Sequence, residues 1–372
     1  MTTPLYDLAR PVVQSMQAYQ PGKPIEEAQR ELGIAEFVKL ASNENPRGPS
    51  KTVLNAMNAA VNSVNRYPDA NGFYLKQAIA ERFESFGVDS TWVTLGCGSN
   101  DILELVASAF LDSDTSAIYS QYGFLVYGLA TARSGAKAII VDAKNYAHDL
   151  AAMAKAVEPN TRVIFIANPN NPTGTYANET DLLNLLGSVP SSVLVVLDEA
   201  YFEYIDKADY PSSAALLRRY PNLIITRTFS KAFGLSALRV GYAICDPVIA
   251  DMLNRVRQPF NVTSIALEAA IAALSDEQYL QESIALNREG MHQLEAGFAD
   301  LDLDYIPSVA NFITFKTPFD AMEVNQQLLQ KGIIVRPVVN YLMNDYLRVS
   351  IGLESENACF LQALAKVIDE HK

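Results

Sequence analysis

Residues Thr226–Tyr242 read TRTFSKAFGLSALRVGY, and this stretch organises the rest of the chain. Lys231 follows the largely apolar run Leu223–Phe229 and is succeeded by Gly234 and Arg239. A strand that ends in Ser-Lys and then turns sets an amine at the edge of a buried sheet. Burial favours the neutral amine, which is a nucleophile toward carbonyls. Ser230 and Arg239, on either side, suit a phosphate. An amine beside a phosphate site points to an aldehyde cofactor that carries a phosphate, namely pyridoxal phosphate, held as a Schiff base. On this segment alone, a surface lysine in a loop is the commoner reading, so the remaining chain must decide.

Working outward, the 372 residues suffice for a large core and about two or three domains. Hydrophobic residues make up 49% and charged ones 19%, the balance of a soluble globular enzyme. The net charge of −13 argues against a nucleic-acid surface, which needs clustered Lys and Arg. Cys97, Cys245 and Cys359 lie far apart, so no disulfide framework or zinc-type spacing is present, and no metal is expected. HExxH and GxSxG are absent, which speaks against metalloprotease and serine-hydrolase chemistry. The opening MTTPLYDLARPVV lacks the pattern of a secretory signal, and no apolar run is long enough to span a bilayer. A cytoplasmic protein with no membrane partner is the expectation.

Residues 1–50 are rich in turn formers, such as Pro21-Gly22-Lys23-Pro24 and Ser42-Asn43-Glu44-Asn45-Pro46, and read as an irregular arm wrapping another body. Helical patterns follow over Lys51–Val64 and Tyr74–Phe86. Apolar strands then read at Ala117–Tyr119, Ala138–Val141, Val163–Ala167, Val193–Leu197, Leu223–Thr226 and Val240–Ile244, with helical periodicity between most of them. Runs such as VIFIA and VLVVL are apolar on both alternating faces, as strands covered by helices on both sides require. The expected fold is α/β: a large domain, residues 51–259, whose mostly parallel sheet is sandwiched by helices. Beyond Pro259, long helices and three further strands predict a smaller α+β domain over 260–372, to which part of the 1–50 arm belongs.

In open α/β sheets, ligands bind outside the carboxyl ends of the strands. Asn168-Pro-Asn-Asn171-Pro-Thr-Gly174 follows VIFIA, Asp198-Glu199-Ala200-Tyr201 follows VLVVL, and Ser230-Lys231 follows LIITRTF. A pyridine cofactor needs a carboxylate to keep its ring nitrogen protonated, and Asp198 can supply it. Tyr201 and Asn171 can donate to the phenolate oxygen. Separately, Asp198 reads equally as a helix cap and Asn171 as a turn residue; three such clusters at strand ends are hard to credit to chance. Gly96-Cys97-Gly98-Ser99-Asn100-Asp101 runs into a helix, and small residues there let backbone N–H groups approach an anion. A dinucleotide fingerprint would need a third glycine, which this turn lacks.

Taken together, the sequence resembles the fold-type-I pyridoxal-phosphate aminotransferases, the aspartate-aminotransferase-like fold, and within them the histidinol-phosphate branch. The similarity runs nearly end to end, through YQPGKP, KLASNENPRGPS, RYPDANG, GCGSND, ANPNNPTG, LDEAYFEY, TFSKAFGLSALRVGY and RPVVNYLMNDYLRVSIG. The resemblance implies that Lys231 is the Schiff-base lysine and proton shuttle. It implies that Asp198 pairs with the pyridine nitrogen, and that Tyr201 and Asn171 contact the phenolate oxygen. Tyr122, in SQYGF, matches the aromatic that stacks on the ring. Ser99, Asn100, Ser230 and Arg239 match the phosphate cup. Tyr67, in RYPD, matches a tyrosine that reaches the cofactor of a neighbouring subunit, which implies a homodimer with shared active sites. Arg348, with Arg336 and Tyr19 as partners, matches a clamp for the substrate's phosphate.

The activity so implied is a ping-pong transamination between L-histidinol phosphate and 2-oxoglutarate, with glutamate as the other amino acid of the pair, in histidine biosynthesis. Aromatic amino-acid transamination on the same scaffold is the nearest rival, and a phospho-amino-acid decarboxylase is a more distant one. A cofactor-sensing transcription regulator would need a DNA-binding domain, for which the chain has no residues left over.

Overall fold

The computed structural model describes residues 5–16 and 23–371. Its centre is a seven-stranded sheet built from Val93–Gly96, Ser116–Ser120, Lys137–Val141, Thr161–Ala167, Leu194–Asp198, Leu223–Thr228 and Gly241–Cys245. Across the sheet the order is 93–96, 241–245, 223–228, 194–198, 161–167, 116–120, 137–141. Six strands run the same way, and Gly241–Cys245 is antiparallel to both of its neighbours. Its reversed sense follows from the short loop after Thr228, closed by a bond from Phe229 N to Val240 O of 3.1 Å. That loop carries Lys231. The strand Val93–Gly96 was not expected from the sequence: at four residues it offers too short a run to register as a period.

The two-faced character of the central strands is borne out residue by residue. Val163, Phe165 and Ala167 enter one core together with Val196 and Ile224. Ile164 and Ile166 enter the core on the other face, with Val195, Leu197 and Ile225. The first face is covered by helices Ser99–Phe110, Leu125–Ser134 and Pro247–Val256; the second by Phe73–Glu81, Glu179–Ser188 and Ser264–Ser275, among others. Three of these six helices, Glu179–Ser188, Pro247–Val256 and Ser264–Ser275, begin on a side chain that accepts a first-turn N–H. Asn178 takes Asp181 N at 2.9 Å, and Thr263 takes Ala266 N at 3.2 Å. Ser99–Phe110, like Leu125–Ser134 and Phe73–Glu81, has no side-chain cap; it starts on Gly98, directly after the strand Val93–Gly96, so its first N–H groups take no bond from a capping side chain.

A second core lies around the antiparallel strands Phe312–Lys316 and Tyr346–Ser350, and includes Phe298, Phe315 and Phe360. The chain passes between cores along the 24-residue helix Glu277–Asp300. Leu280 belongs to the large core, while Met291, Leu294 and Phe298 belong to the second. The N-terminal segment is more regular than its turn-rich composition suggested. It forms helices Pro11–Ser15 and Ile25–Leu32 and a strand, Val38–Lys39, parallel to Ile333–Ile334. Turn formers delimit these elements rather than replace them.

Ser42–Arg47 then crosses between the two bodies. Asn43 N bonds to Ser350 Oγ at 2.8 Å, and its Nδ2 donates to Tyr201 Oη at 2.9 Å. Asn45 Nδ2 donates to Ala232 O at 2.9 Å and to Ser283 Oγ at 3.0 Å. Gly234, at φ +71°, admits this segment: a Cβ there would sit 3.0 Å from the carbonyl oxygen of Gly48.

Phe298 stacks on Phe315 at 4.8 Å between ring centroids and meets Phe360 edge-on. Truncation of Phe298 to Ala is expected to cost about 3–5 kcal/mol of stability, read as a lower denaturant midpoint with helical content retained before the transition.

Candidate active site

Beyond the carboxyl ends of the parallel strands lies a cavity of ≈ 500 Å³. Lys231, Asp198, Tyr201 and Asn171 border it on one side, and Ser99, Asn100, Ser230 and Arg239 on another. Arg336 and Arg348 close it from the second body. The residues expected from three separate strand ends therefore meet in one place. Two do not line it. Tyr122 stacks on Tyr146 at 5.8 Å, beside the cavity, with its backbone oxygen accepting from Asn170 Nδ2 at 2.9 Å. Tyr67 is 83% exposed and stacks on Phe260 at 4.7 Å. Tyr19 lies outside the described residues.

Lys231 is half-buried, and its Nζ donates to Ser42 O at 3.0 Å. Desolvation is the main force on it, followed by the Arg348 guanidinium; Glu44 opposes them, and Arg239 and Lys39 add to them. Together they bring its pKa from 10.5 down to about 7. At neutral pH a large fraction of this amine is therefore uncharged and nucleophilic.

Asp198 ends the strand Leu194–Asp198 and is 5% exposed. It caps no helix. Its Oδ1 accepts from Thr226 Oγ1 and its Oδ2 from Tyr127 Oη, both at 3.0 Å. Burial raises its pKa to about 6, against the pull of these two donors and of the Ala200 N–H. The following residue, Glu199, plays a different part. It is fully buried and takes two bonds from Arg227, at 2.9 and 2.8 Å, while Arg227 also lies over the Phe202 ring. That pair anchors the loop that carries Tyr201.

The anion cup is made by close approach. Gly98 has φ +84°, and a Cβ there would run into the Arg239 guanidinium. A Cβ on Gly241 would strike the Ser99 amide nitrogen, so the helix start can sit against the strand only because residue 241 is glycine. Arg239 donates to Ser230 Oγ at 3.2 Å, which also accepts from Thr228 Oγ1 at 3.0 Å. Backbone N–H groups, hydroxyls and a guanidinium thus converge, the chemistry that holds a phosphate.

On the opposite wall, Arg336 and Arg348 are direct partners across an antiparallel strand pair. Like charges facing each other across strands are unfavourable unless an anion lies between them. Arg348 is 6% exposed and donates to Asn171 Oδ1 and to Ala41 O. The carbonyl end of Asn171 is thereby occupied, which leaves its Nδ2 end as the donor.

Sequence reading passed over Ser42, Asn43, Tyr127 and Thr226. The SNENP turn held a signal for the first two. The others sit in apolar helix and strand patterns that read as core.

A family model for aminotransferase class I and II matches residues 35–364. The chain belongs to this family of amino-group-transferring enzymes. It is similar to histidinol-phosphate aminotransferase 2 of Pseudomonas fluorescens, 56% identical over 97% of this chain and 97% of that protein. To histidinol-phosphate aminotransferase 1 of Nitrosococcus oceani it is 50% identical, over 99% and 98% of the respective lengths. Among solved structures it is similar to the histidinol-phosphate aminotransferase of Sinorhizobium meliloti in complex with pyridoxal-5'-phosphate. The TM-score there is 0.89, at 28% identity, covering 98% of both chains. An aspartate aminotransferase of Thermus thermophilus, at 21% identity and TM-score 0.85, shares the fold.

Because Lys231 titrates lower folded than unfolded, the unfolded chain binds more protons between about pH 7 and 10.5. Its contribution to stability therefore rises with pH through that window, and the cost of its buried charge is fullest below it. Amine acylation, followed by peptide mapping, is expected to modify Lys231 with a midpoint near pH 7, in contrast to exposed lysines, which titrate near about 10.4. A midpoint near 10 at Lys231 would contradict the burial argument.

Proposed function

We propose that this chain transfers an amino group between L-histidinol phosphate and 2-oxoglutarate, using pyridoxal 5'-phosphate and Lys231, as a step of histidine biosynthesis. The observation that carries this reading is the cavity itself. A nucleophilic amine, a buried carboxylate and an anion cup meet there, with two arginines opposite each other on the far wall.

The residues fit the cofactor, because Gly98 and Gly241 let the helix start and Arg239 pack close enough for Ser99, Asn100, Ser230 and Arg239 to line one cavity with Lys231 and Asp198. When bound, pyridoxal phosphate supplies an electron sink for negative charge on the substrate carbon. Ser99, Asn100, Ser230 and Arg239 hold its phosphate in this reading, and Asp198 faces its ring nitrogen with a negative charge. Tyr201 Oη and Asn171 Nδ2 would donate to its ring oxygen, and Tyr122, beside the cavity, would be the aromatic nearest to one face of the ring. Lys231 Nζ carries the proton to and from the substrate carbon in each half reaction, a role that its lowered pKa suits. Arg336 and Arg348, with Tyr19, bind the substrate's phosphate, and the same arginines take the carboxylates of glutamate.

Two arginines in register suit a dianion better than a single carboxylate, which favours the phosphorylated substrate over an aromatic amino acid. Relatives at 50–56% identity that bear the histidinol-phosphate name support the same choice.

We also infer a homodimer with shared sites. Tyr67 and Phe260 form an exposed aromatic pair, with Phe73, Tyr74 and Val64 also exposed along the same part of the chain. A cytoplasmic setting accords with free Cys97, Cys245 and Cys359. Among the described residues, no helix is long and apolar enough to cross a membrane.

Lys231→Ala is expected to abolish turnover and the near-ultraviolet and visible absorbance shift of the cofactor-loaded enzyme. A variant that kept full activity would overturn the assignment. Comparing kcat/KM for histidinol phosphate, phenylalanine and tyrosine with 2-oxoglutarate tests the substrate. Arg336→Ala should lower the first by about tenfold or more and the aromatic values far less. A preference for phenylalanine in the unaltered enzyme would replace this reading with the aromatic one, and release of carbon dioxide would indicate a decarboxylase.

A further inference from the structure

We propose that Tyr127 and Thr226 are positioning residues that hold the Asp198 carboxylate ionised and aimed at the ring nitrogen of the bound cofactor. The inference rests on the reading of Asp198 as the partner of that nitrogen. Each carboxylate oxygen has its own donor. Tyr127 Oη reaches Oδ2 at 3.0 Å from helix Leu125–Ser134, and Thr226 Oγ1 reaches Oδ1 at 3.0 Å from the adjacent strand. Thr226 and Asp198 are register partners, so the second bond is set by strand pairing. Tyr127 is fully buried and stacked nearly parallel on Phe165, at 5.0 Å between centroids and 6° between planes. That stack fixes where its hydroxyl points.

The donors matter because the other forces on Asp198 oppose its charge. Burial is the largest and Glu199 adds to it, though Glu199 is itself tied to Arg227. Tyr127 cannot answer by ionising, since burial and Asp198 together push its own pKa well up. His148, bonded to Ala167 O on the neighbouring strand, is kept neutral by burial, with a pKa lowered to about 4. Lys231, Arg348, Tyr201 and Tyr341 line the same cavity as Asp198. Without the Tyr127 hydroxyl, Oδ2 loses its donor in a site shielded from water, and Asp198 takes up a proton at higher pH. A neutral carboxyl no longer attracts a protonated ring nitrogen.

The test measures binding of pyridoxal phosphate to cofactor-depleted protein across about pH 6.5 to 8.5, by equilibrium dialysis and by absorbance. Unaltered protein, Tyr127→Phe, Thr226→Val and Asp198→Asn are compared, so the ligand's own ionisations cancel. Tyr127→Phe is expected to lose about tenfold in affinity at the acid end and to recover most of it at the alkaline end, where Asp198 ionises regardless. Thr226→Val should shift the acid limb in the same direction, and carries the test alone if Tyr127→Phe fails to fold. Asp198→Asn should be weak at every pH. A loss equal at both ends, or none, in the folded variants would overturn the proposal while leaving Asp198 in place. Unaltered affinity in Asp198→Asn would overturn the reading of Asp198 itself.

Discussion

Lys231 and Asp198 share a cavity in this protein, yet each is held by uncharged partners. The amine leans on the Ser42 carbonyl, and the carboxylate takes bonds from Tyr127 and Thr226. A lysine and an aspartate paired with each other would each be held in the charged form, which removes the amine's nucleophilicity. Separate satisfaction leaves the amine near neutrality and the carboxylate poised, which is the condition for nucleophilic chemistry on one side and cation binding on the other. The surrounding structure serves this separation. Strand ends deliver the two groups, and a glycine-lined helix start brings N–H groups to the space between.

Much of this was legible in the sequence, because it depends on local pattern. Alternating apolar runs determined which strands lie inside, and polar residues just past their ends marked the cavity. Lys231, Asp198, Asn171 and Tyr201 were recoverable for that reason. Long-range register was less legible. That Arg336 and Arg348 face each other follows from strand pairing, and neither flanking sequence encodes it alone. The reversed sense of Gly241–Cys245 likewise emerges only when the lysine loop closes. Tyr127 is the clearest omission. Among Val126, Ala130 and Phe165 it reads as core packing, and its ring is core packing; only the hydroxyl has a second task.

Backbone groups leave still less trace. Ser42 contributes its carbonyl oxygen, a group every residue owns, so nothing in its side chain marks it out. Its neighbours Asn43 and Asn45 did carry a signal, as a cluster of turn formers, but the signal named a turn and not its partners. Those partners lie on both bodies: Tyr201 and Ala232 on the large one, Ser350 on a strand of the second, and Ser283 on the helix that joins them.

This placement gives the arm a thermodynamic consequence. The acceptor that steadies the reactive amine belongs to the same short segment that fastens one core to the other. Drawing the amine away from Ser42 removes a tether from that segment, so bond-making at Lys231 and the relative freedom of the two bodies are linked quantities. Linkage runs both ways: whatever tightens the arm must change the ease with which the amine departs, by an equal free energy. Ser42–Arg47 is thus a tether as well as a wall: it bonds to both bodies and supplies the acceptor for the amine.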